Sequence, residues 1–496
     1  MEKEWIYQTS QIRMMEQLAS ERFGISSSLM MQRAGQAVFE FLRKRFPQYQ
    51  HIAVCCGGGN NGGDGYVFAR IAHQHGLQIN IWQVDPKAKL KKDAEEALQA
   101  CQALNIPIAP FEEHADLSQA NVIIDAICGI GLQTDLREHY ANAIKCIQNT
   151  NLPIIAIDIP SGISADTGQI LGVAIRATAT VTMMGLKLGL LTGAGIAHTG
   201  ECVVDDLQLP QALFSEIKPV AEKIAMDTLK KYLEPRPKDW HKGLSGHVLI
   251  IGGYSGYSGA PRMAGEAALR VGAGLVTVAT HPSHAMLINA TCPEIMCHGV
   301  SNEKELLPLL NQVDVIVIGP GLSLSPWAKS LWMEVVKQKK PLLVDADGLN
   351  LLAETQEFND NFILTPHPGE AARLLHQPVQ DVQNNRFDAI QTITKRYGGI
   401  CVLKGAGSLV YAKESRLSVC TKGNPGMATA GMGDVLSGVI GGFIAQGIHH
   451  HDAAKLGVYL HALAGDAAAA CDGERGMIAT DLIPYLRHLA NNESLH

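Results

Sequence analysis

The 496-residue chain contains no run of eighteen uninterrupted apolar residues, so the usual signature of a membrane-spanning helix is missing. Its amino terminus, Met1-Glu-Lys-Glu-Trp-Ile6, carries charge of both signs where a secretory signal needs an apolar segment. A cytoplasmic protein that engages no membrane is expected. A basic surface is missing too. Residues 1–215 hold 16 Lys plus Arg against 21 Asp plus Glu, and the remainder holds 25 against 27, so neither half has the positive excess that nucleic acid requires. The eleven cysteines form an odd set without a C-x-x-C pair, and Cys55, Cys56, Cys202 and Cys401 fall inside strand-like runs, which fits buried, reduced thiols. The tract His449-His-His451 lacks Cys or acidic partners at ligand spacing and reads as a solvated loop between helices. Short-period repeats and low-complexity tracts are absent. No G-x-x-x-x-G-K-[ST] occurs, which removes a Walker nucleotide site.

What the chain does have is an α/β pattern. Short β-branched runs ending in Gly, Asp or Pro alternate with longer segments of helical spacing. In the first half, residues 51–56, 78–82, 121–125, 153–158, 179–183 and 201–205 read as strands, and their near-continuous apolarity predicts a parallel sheet covered on both faces. The second half restarts the pattern at 246–252 and continues through 314–319, 341–345, 362–365 and 400–404. The chain is too long for one core, and two sheets predict two domains, 1–215 and 225–496, joined by a linker at 216–224. Residues 208–240 lose the strand pattern, collect Pro210, Pro219, Pro235 and Pro237, and leave room for one short helix at about 225–232.

Two groups of motifs carry chemistry. In Lys422-Gly-Asn-Pro-Gly-Met-Ala-Thr-Ala-Gly-Met-Gly-Asp434, glycines let the backbone approach an anion at the start of an apolar helix. Asp434 would take a proton from a substrate hydroxyl there, or else merely cap the helix. Gly319-Pro-Gly-Leu322, Asp345-Ala-Asp-Gly-Leu-Asn350, Thr365-Pro-His-Pro-Gly-Glu370 and Lys404-Gly-Ala-Gly-Ser408 also close predicted strands, and His367 is held between two prolines. In the first half, Gly57-Gly-Gly-Asn-Asn-Gly-Gly-Asp-Gly65 satisfies G-x-G-x-x-G, and Asp85 stands where a ribose-binding acid would. A dehydrogenase reading is weakened because Asn60, Asn61 and Asp64 make the turn rich in oxygen, which suits a cation or a hydroxylated ligand. Asp125 and Asp158 end further strands, with Ser161 close behind.

The Gly-Asn-Asn-Gly-Gly-Asp-Gly turn, Asp125-Ala-Ile-Cys-Gly-Ile-Gly131 and Asp158-Ile-Pro-Ser-Gly162 resemble the NAD(P)H-hydrate epimerase family over roughly residues 8–215. That resemblance implies a Rossmann-like three-layer sandwich. It implies that Asn60, Asn61, Gly62, Gly63, Asp64, Gly129, Ile130, Gly131, Leu132, Gln133, Thr134 and Asp135 hold the hydrated dinucleotide. It further implies potassium on Asn61, Asp125 and Ser161, and substrate contact by Asp158, which is also the candidate general acid at the C6 hydroxyl.

The second-half motifs, together with Gly252-Gly-Tyr-Ser-Gly-Tyr-Ser-Gly-Ala-Pro-Arg-Met-Ala264, resemble the ADP-dependent NAD(P)H-hydrate dehydratases, a ribokinase-like family, over about 225–490. The resemblance implies that Ala260, Gly321, His367 and Asp434 contact the hydrate. The adenine nucleotide would lie against Lys404, Gly405, Ala406, Gly407, Ser408 and Gly433, with ADP as co-substrate and magnesium on its phosphates. As a whole the chain resembles the bifunctional NAD(P)H-hydrate repair enzymes, acting on NADHX and NADPHX, and a homo-oligomer is expected. Two rival readings remain, a vitamin-precursor kinase in the second half and a non-enzymatic scaffold built on the first.

Overall fold

The computed structural model describes residues 5–112 and 115–491, and the chain divides into two compact units, Met1–Glu222 and Lys223–His496. The first contains strands β1 (Trp5–Tyr7), β2 (His51–Cys56), β3 (Gln78–Gln83), β4 (Ile108–Pro110), β5 (Val122–Ala126), β6 (Ile154–Ile157), β7 (Ala179–Met183), β8 (Leu186–Lys187), β9 (Glu201–Asp205) and all but the last residue of β10 (Ala221–Lys223). Seven of them form a parallel sheet in the order β4-β3-β2-β5-β6-β7-β9. Alternate residues of β2 and β5 serve opposite faces. Ile52, Val54 and Ile124 pack with the helices Ser27–Arg45 and Asn60–Gln74, whereas Ala53, Cys55 and Ile123 pack with Glu138–Asn149. This is why the strands read as continuously apolar. The winding direction reverses between β2 and β5, and open α/β sheets form their ligand crevice at the carboxyl ends of such a pair. A smaller ladder sets β1 antiparallel to β10 and parallel to β8, with Ile6 opposite Leu186 and Tyr7 opposite Lys187.

In the second unit, β11 (His247–Ile251), β12 (Leu275–Thr280), β13 (Met296–Gly299), β14 (Val315–Ile318), β15 (Leu342–Val344), β16 (Phe362–Leu364) and β17 (Ile400–Leu403) are parallel, and β18 (Ser408–Ala412) and β19 (Leu417–Cys420) return antiparallel. The order β13-β12-β11-β14-β15-β16-β17-β18-β19 has its switch between β11 and β14. Helices Gly259–Arg270 and Met432–Ala445 share the core on one face. They meet at Gly438, where a Cβ would fall 2.0 Å from the carbonyl oxygen of Ala264.

Three expectations need correction. Residues 208–240 are not strand-free, because they hold the helix Gln211–Glu216 and strand β10 besides the helix Met226–Leu229 and a 3-10 turn at Lys230–Tyr232. Three residues are too few for β10 to announce itself by alternation. The histidine tract is not a linking loop either, since His449 is the N-cap of helix His450–Asp472 and the next two histidines lie in its first turn. The oxygen-rich turn expected at 60–64 is the first turn of helix Asn60–Gln74, capped by Gly59.

Candidate active sites

In the first unit the strand β2 runs into Gly57, where a Cβ would lie 2.0 Å from the Ile127 carbonyl, and Gly62 is packed as tightly against the carbonyl of Gly57. Only glycine lets this turn close and deliver the free amides of the helix start to one place. Beside it opens a cavity of about 1000 Å³. Asn60, Asn61, Asp64, all of the 129–135 loop and Asp158 line it, whereas Gly62 and Gly63 pack behind it. Asp85 keeps to the surroundings of Tyr140, at 3.5 Å, with Arg137 and His139 near the same carboxyl oxygen.

Beneath this cavity, Asp125 and Ser161 are fully buried. The Ser161 hydroxyl donates to Asp125 Oδ1 at 2.5 Å, and the Ser161 amide donates to Oδ2 at 2.8 Å. Burial nevertheless pushes the Asp125 carboxyl up to about 6, because the hydrogen bonds compensate only in part and no cation reaches it among the described residues. The buried Asn61 Nδ2 has no hydrogen-bond partner. Asp158 is bonded differently. Its Oδ1 receives the Lys187 ammonium at 2.5 Å and the Met183 amide at 3.1 Å. The carboxyl expected to act as proton donor is thus the one that the buried Lys187 ammonium engages.

In the second unit, Asp345 follows β15 and Lys404 follows β17, and Glu370 lies in the first turn of the helix Pro368–Leu375 that follows β16. Lys404 Nζ donates to Asp345 Oδ1 at 2.7 Å and lies 3.8 Å from Glu370. Ser437 donates to Asp345 Oδ2 at 2.7 Å. Burial opposes both charges of the Lys404–Asp345 pair, but their attraction prevails, lowering the carboxyl and raising the ammonium. A Cβ on Gly433 would lie 3.1 Å from Lys404 Nζ, which places the glycine-rich loop against this cluster. Asp434 is the third residue of helix Met432–Ala445, whose N-cap is Gly431, so the capping reading of Asp434 fails. Burial, then the charge of Asp345, push its carboxyl up to about 7 against the pull of Lys404.

Of the other expected contacts, Gly321 adjoins Ala260, and a Cβ on Gly321 would lie 3.3 Å from the Cβ of Ala260. His367 is exposed and accepts the Gly369 amide on Nδ1 at 2.9 Å, capping helix Pro368–Leu375. Residues Gly405, Ala406 and Gly407 form the tip of the β17–β18 turn, and Ser408 donates to the Gly405 carbonyl at 3.0 Å. Lys404 points its charge back into the carboxyl cluster. Lys187, Glu16, Asp345 and Glu370 are not among the expected site residues. Asp345 and Glu370 stand inside the motifs that identified the loops, and Lys187 is the lone charge in the apolar run 179–191, which is a signal. Glu16 gives none.

Two polar clusters at the carboxyl ends of parallel strands define an α/β enzyme with a separate site in each unit. Residues 27–189 match the family model described as YjeF-related protein N-terminus, and residues 248–488 match that described as NAD(P)H-hydrate dehydratase. A bifunctional NAD(P)H-hydrate repair enzyme of Coxiella burnetii is 47% identical over 486 residues, 98% of this chain and 99% of the relative. Its Escherichia coli counterpart is 40% identical over 492 residues, 98% of this chain and 94% of its own. The chain belongs to the family of bifunctional NAD(P)H-hydrate repair enzymes. Among solved structures, a ribokinase-like superfamily protein of Enterococcus faecalis matches with a TM-score of 0.51 and 32% identity, over 56% of this chain and 97% of its own. The ribokinase-like fold expected of the second half is therefore present, and no described helix is long and apolar enough to cross a membrane.

Proposed function

We propose that the first unit epimerises the R and S hydrates of NADH and NADPH at C6 of the nicotinamide ring, and that the second dehydrates the S hydrate with ADP, releasing NAD(P)H, AMP and phosphate. The observation that carries this reading is Asp434, a carboxyl near neutrality in the first turn of a helix, behind a glycine loop and beside Lys404. A base of that strength can take the C6 hydroxyl proton at physiological pH. The hydroxyl oxygen then attacks the terminal phosphorus of ADP as the bond to AMP breaks. The ring nitrogen lone pair next expels phosphate from C6, and loss of a C5 proton restores the C5=C6 double bond. Hydroxide is a poor leaving group and phosphate is a good one, which gives ADP its purpose.

The first site fits potassium. Asp125 supplies a buried carboxylate without a cation, Ser161 a hydroxyl, and Asn61 a buried amide whose carbonyl oxygen is the atom that could ligate. One carboxylate with neutral oxygens suits a monovalent ion, which would supply a fixed positive charge under the bound dinucleotide. In the second site Glu370, which burial pushes up to about 7, would be a carboxyl available to magnesium carried in with a nucleotide diphosphate.

The test is to incubate the protein with mixed R and S hydrates and ADP, ATP or neither, following reduced-nicotinamide absorbance and phosphorus products. Full recovery of both epimers with ADP, yielding AMP and phosphate, is expected. A phosphorylated organic product that persists would instead identify a heterocycle kinase.

A further inference from the structure

Four carboxyls border the first cavity; Asp135 is exposed on its loop, and the fold treats the other three, Glu16, Asp64 and Asp158, unequally. Asp158 sits at φ 66°, and its Oδ1 collects the Met183 amide, the Thr182 hydroxyl at 3.3 Å and the Lys187 ammonium. Lys187 is itself fully buried and gives its remaining donors to Thr182 Oγ1 at 2.9 Å and the Met183 carbonyl at 2.7 Å. This lysine has nothing left to give a second carboxyl. Asp64, one turn into helix Asn60–Gln74, receives no hydrogen bond or ion pair among the described residues. The groups facing it are Asp158, Glu16 from helix Thr9–Phe23, and the Cys56 thiol of β2, which burial keeps neutral. Glu16 is raised by burial and by Asp158 but relieved by Lys187, Lys91 and Arg13. For Asp64, burial, Asp158 and Glu16 all act in one direction and push its carboxyl well above the usual range.

We propose that Asp64 is the proton donor of the first site, with Lys187 as the positioning residue that holds Asp158 as the accompanying anion. The Asp64 proton goes to the C6 hydroxyl and the C6–O bond breaks, its electron pair leaving with water. The ring nitrogen lone pair forms N1=C6, and the resulting cation is balanced by Asp158. Water then adds to the other face of C6, the N1=C6 pair returns to nitrogen, and the surplus proton returns through cavity water to Asp64. Two carboxyls in unequal surroundings, one without a partner and one held by an ammonium, are the arrangement that separates an acid from an anion within one site.

This inference rests on the epimerase reading, and the experiment separates the two. Full-length protein receives purified R hydrate without nucleotide, and formation of the S hydrate is followed chromatographically with the uncatalysed rate subtracted. A wild-type protein that does not epimerise sinks the reading and the proposal together. Where wild type is active, Asp64→Asn is expected to lower kcat by about 100-fold or more with KM within about threefold. The wild-type rate is expected to fall on the alkaline side as Asp64 loses its proton. Lys187→Met is expected to move that fall to higher pH, because removing a nearby cation makes the carboxyl pair hold its proton more tightly. Wild-type kcat in Asp64→Asn, or a wild-type rate that is flat between about pH 5 and pH 9, overturns the assignment. An unmoved alkaline limb in folded Lys187→Met removes Lys187 from it.

Discussion

Each site sets one lysine against strand-end carboxyls, and the two differ in how the charges balance. Lys187 faces a single carboxylate, Asp158, and all of its donors are committed. Lys404 faces Asp345 directly and Glu370 more distantly, and Asp434 feels all three. One ammonium cannot neutralise three enclosed carboxyls, so the second cluster makes up the shortfall with protons, leaving Glu370 and Asp434 both near pH 7. In the first unit the unmatched carboxyl is Asp64, away from the lysine. A strand-end aspartate therefore has no fixed role; the cation that reaches it decides whether it is an anion, a base or an acid.

The sharpest way to break this contrast is Asp434→Asn. Asparagine keeps the shape but cannot accept the proton, and dehydration is expected to fall by roughly 100-fold to 10,000-fold while epimerisation and ADP binding persist. Because Gly431 holds the N-cap, the stability change is limited to the lost first-turn charge, about 0.3 to 1 kcal/mol, offset by relief of a buried carboxyl. In wild type the dehydration rate should rise with pH through about 7 as Asp434 ionises. Stability runs the other way. The folded carboxyl holds its proton up to about 7 whereas the unfolded one releases it near 3.8, so stability is lost as pH climbs through that window. Thermal melts of the variant should show a shallower loss. Wild-type dehydration in Asp434→Asn would leave the second site without its base.

A smaller effect probes the cation that neither lysine supplies. Asp125 is buried without an ammonium, and replacing potassium by a bulky organic cation should slow epimerisation several-fold, on the order of tenfold, with dehydration unaffected. Asp125→Ala should reproduce the loss in full potassium. Equal rates under both treatments would mean that the Asp125–Ser161–Asn61 pocket is structural.

The sequence made one class of residue visible and hid another. Asp125, Asp158, Asp345 and Lys404 end apolar runs, and in a parallel sheet the strand direction alone carries such residues to one edge. Lys187 lies in a two-residue strand whose position depends on β1, about 180 residues away in the chain, and Glu16 comes from a helix with no motif. The antiparallel return from β17 to β18 was hidden for another reason: Lys404-Gly-Ala-Gly-Ser408 reads as a ligand loop, although the same glycines also make a strand turn. Asp434 shows the limit of local patterns. Its place beside the anion loop was legible, but that Gly431 and not Asp434 caps the helix depends on a positive φ of 91° that an unaligned glycine string does not declare.

The smallest expected effect comes from cutting the chain between the sites. The described core clusters of the first unit draw on residues from Tyr7 to Ile217, and that of the second draws on Ile224 onward. Each switch-point pair, β2 with β5 and β11 with β14, also lies within one unit. We therefore propose that the units act as independent domains. Fragments 1–222 and 223–496 should each fold, the first epimerising hydrate without ADP and the second dehydrating only the S form, both within about threefold of the full-chain rates. The second fragment alone should stall with the R hydrate unconsumed, and adding the first fragment in trans should release it. If both fragments are soluble but the mixture stalls as well, the first unit does not act alone and its site needs the rest of the chain.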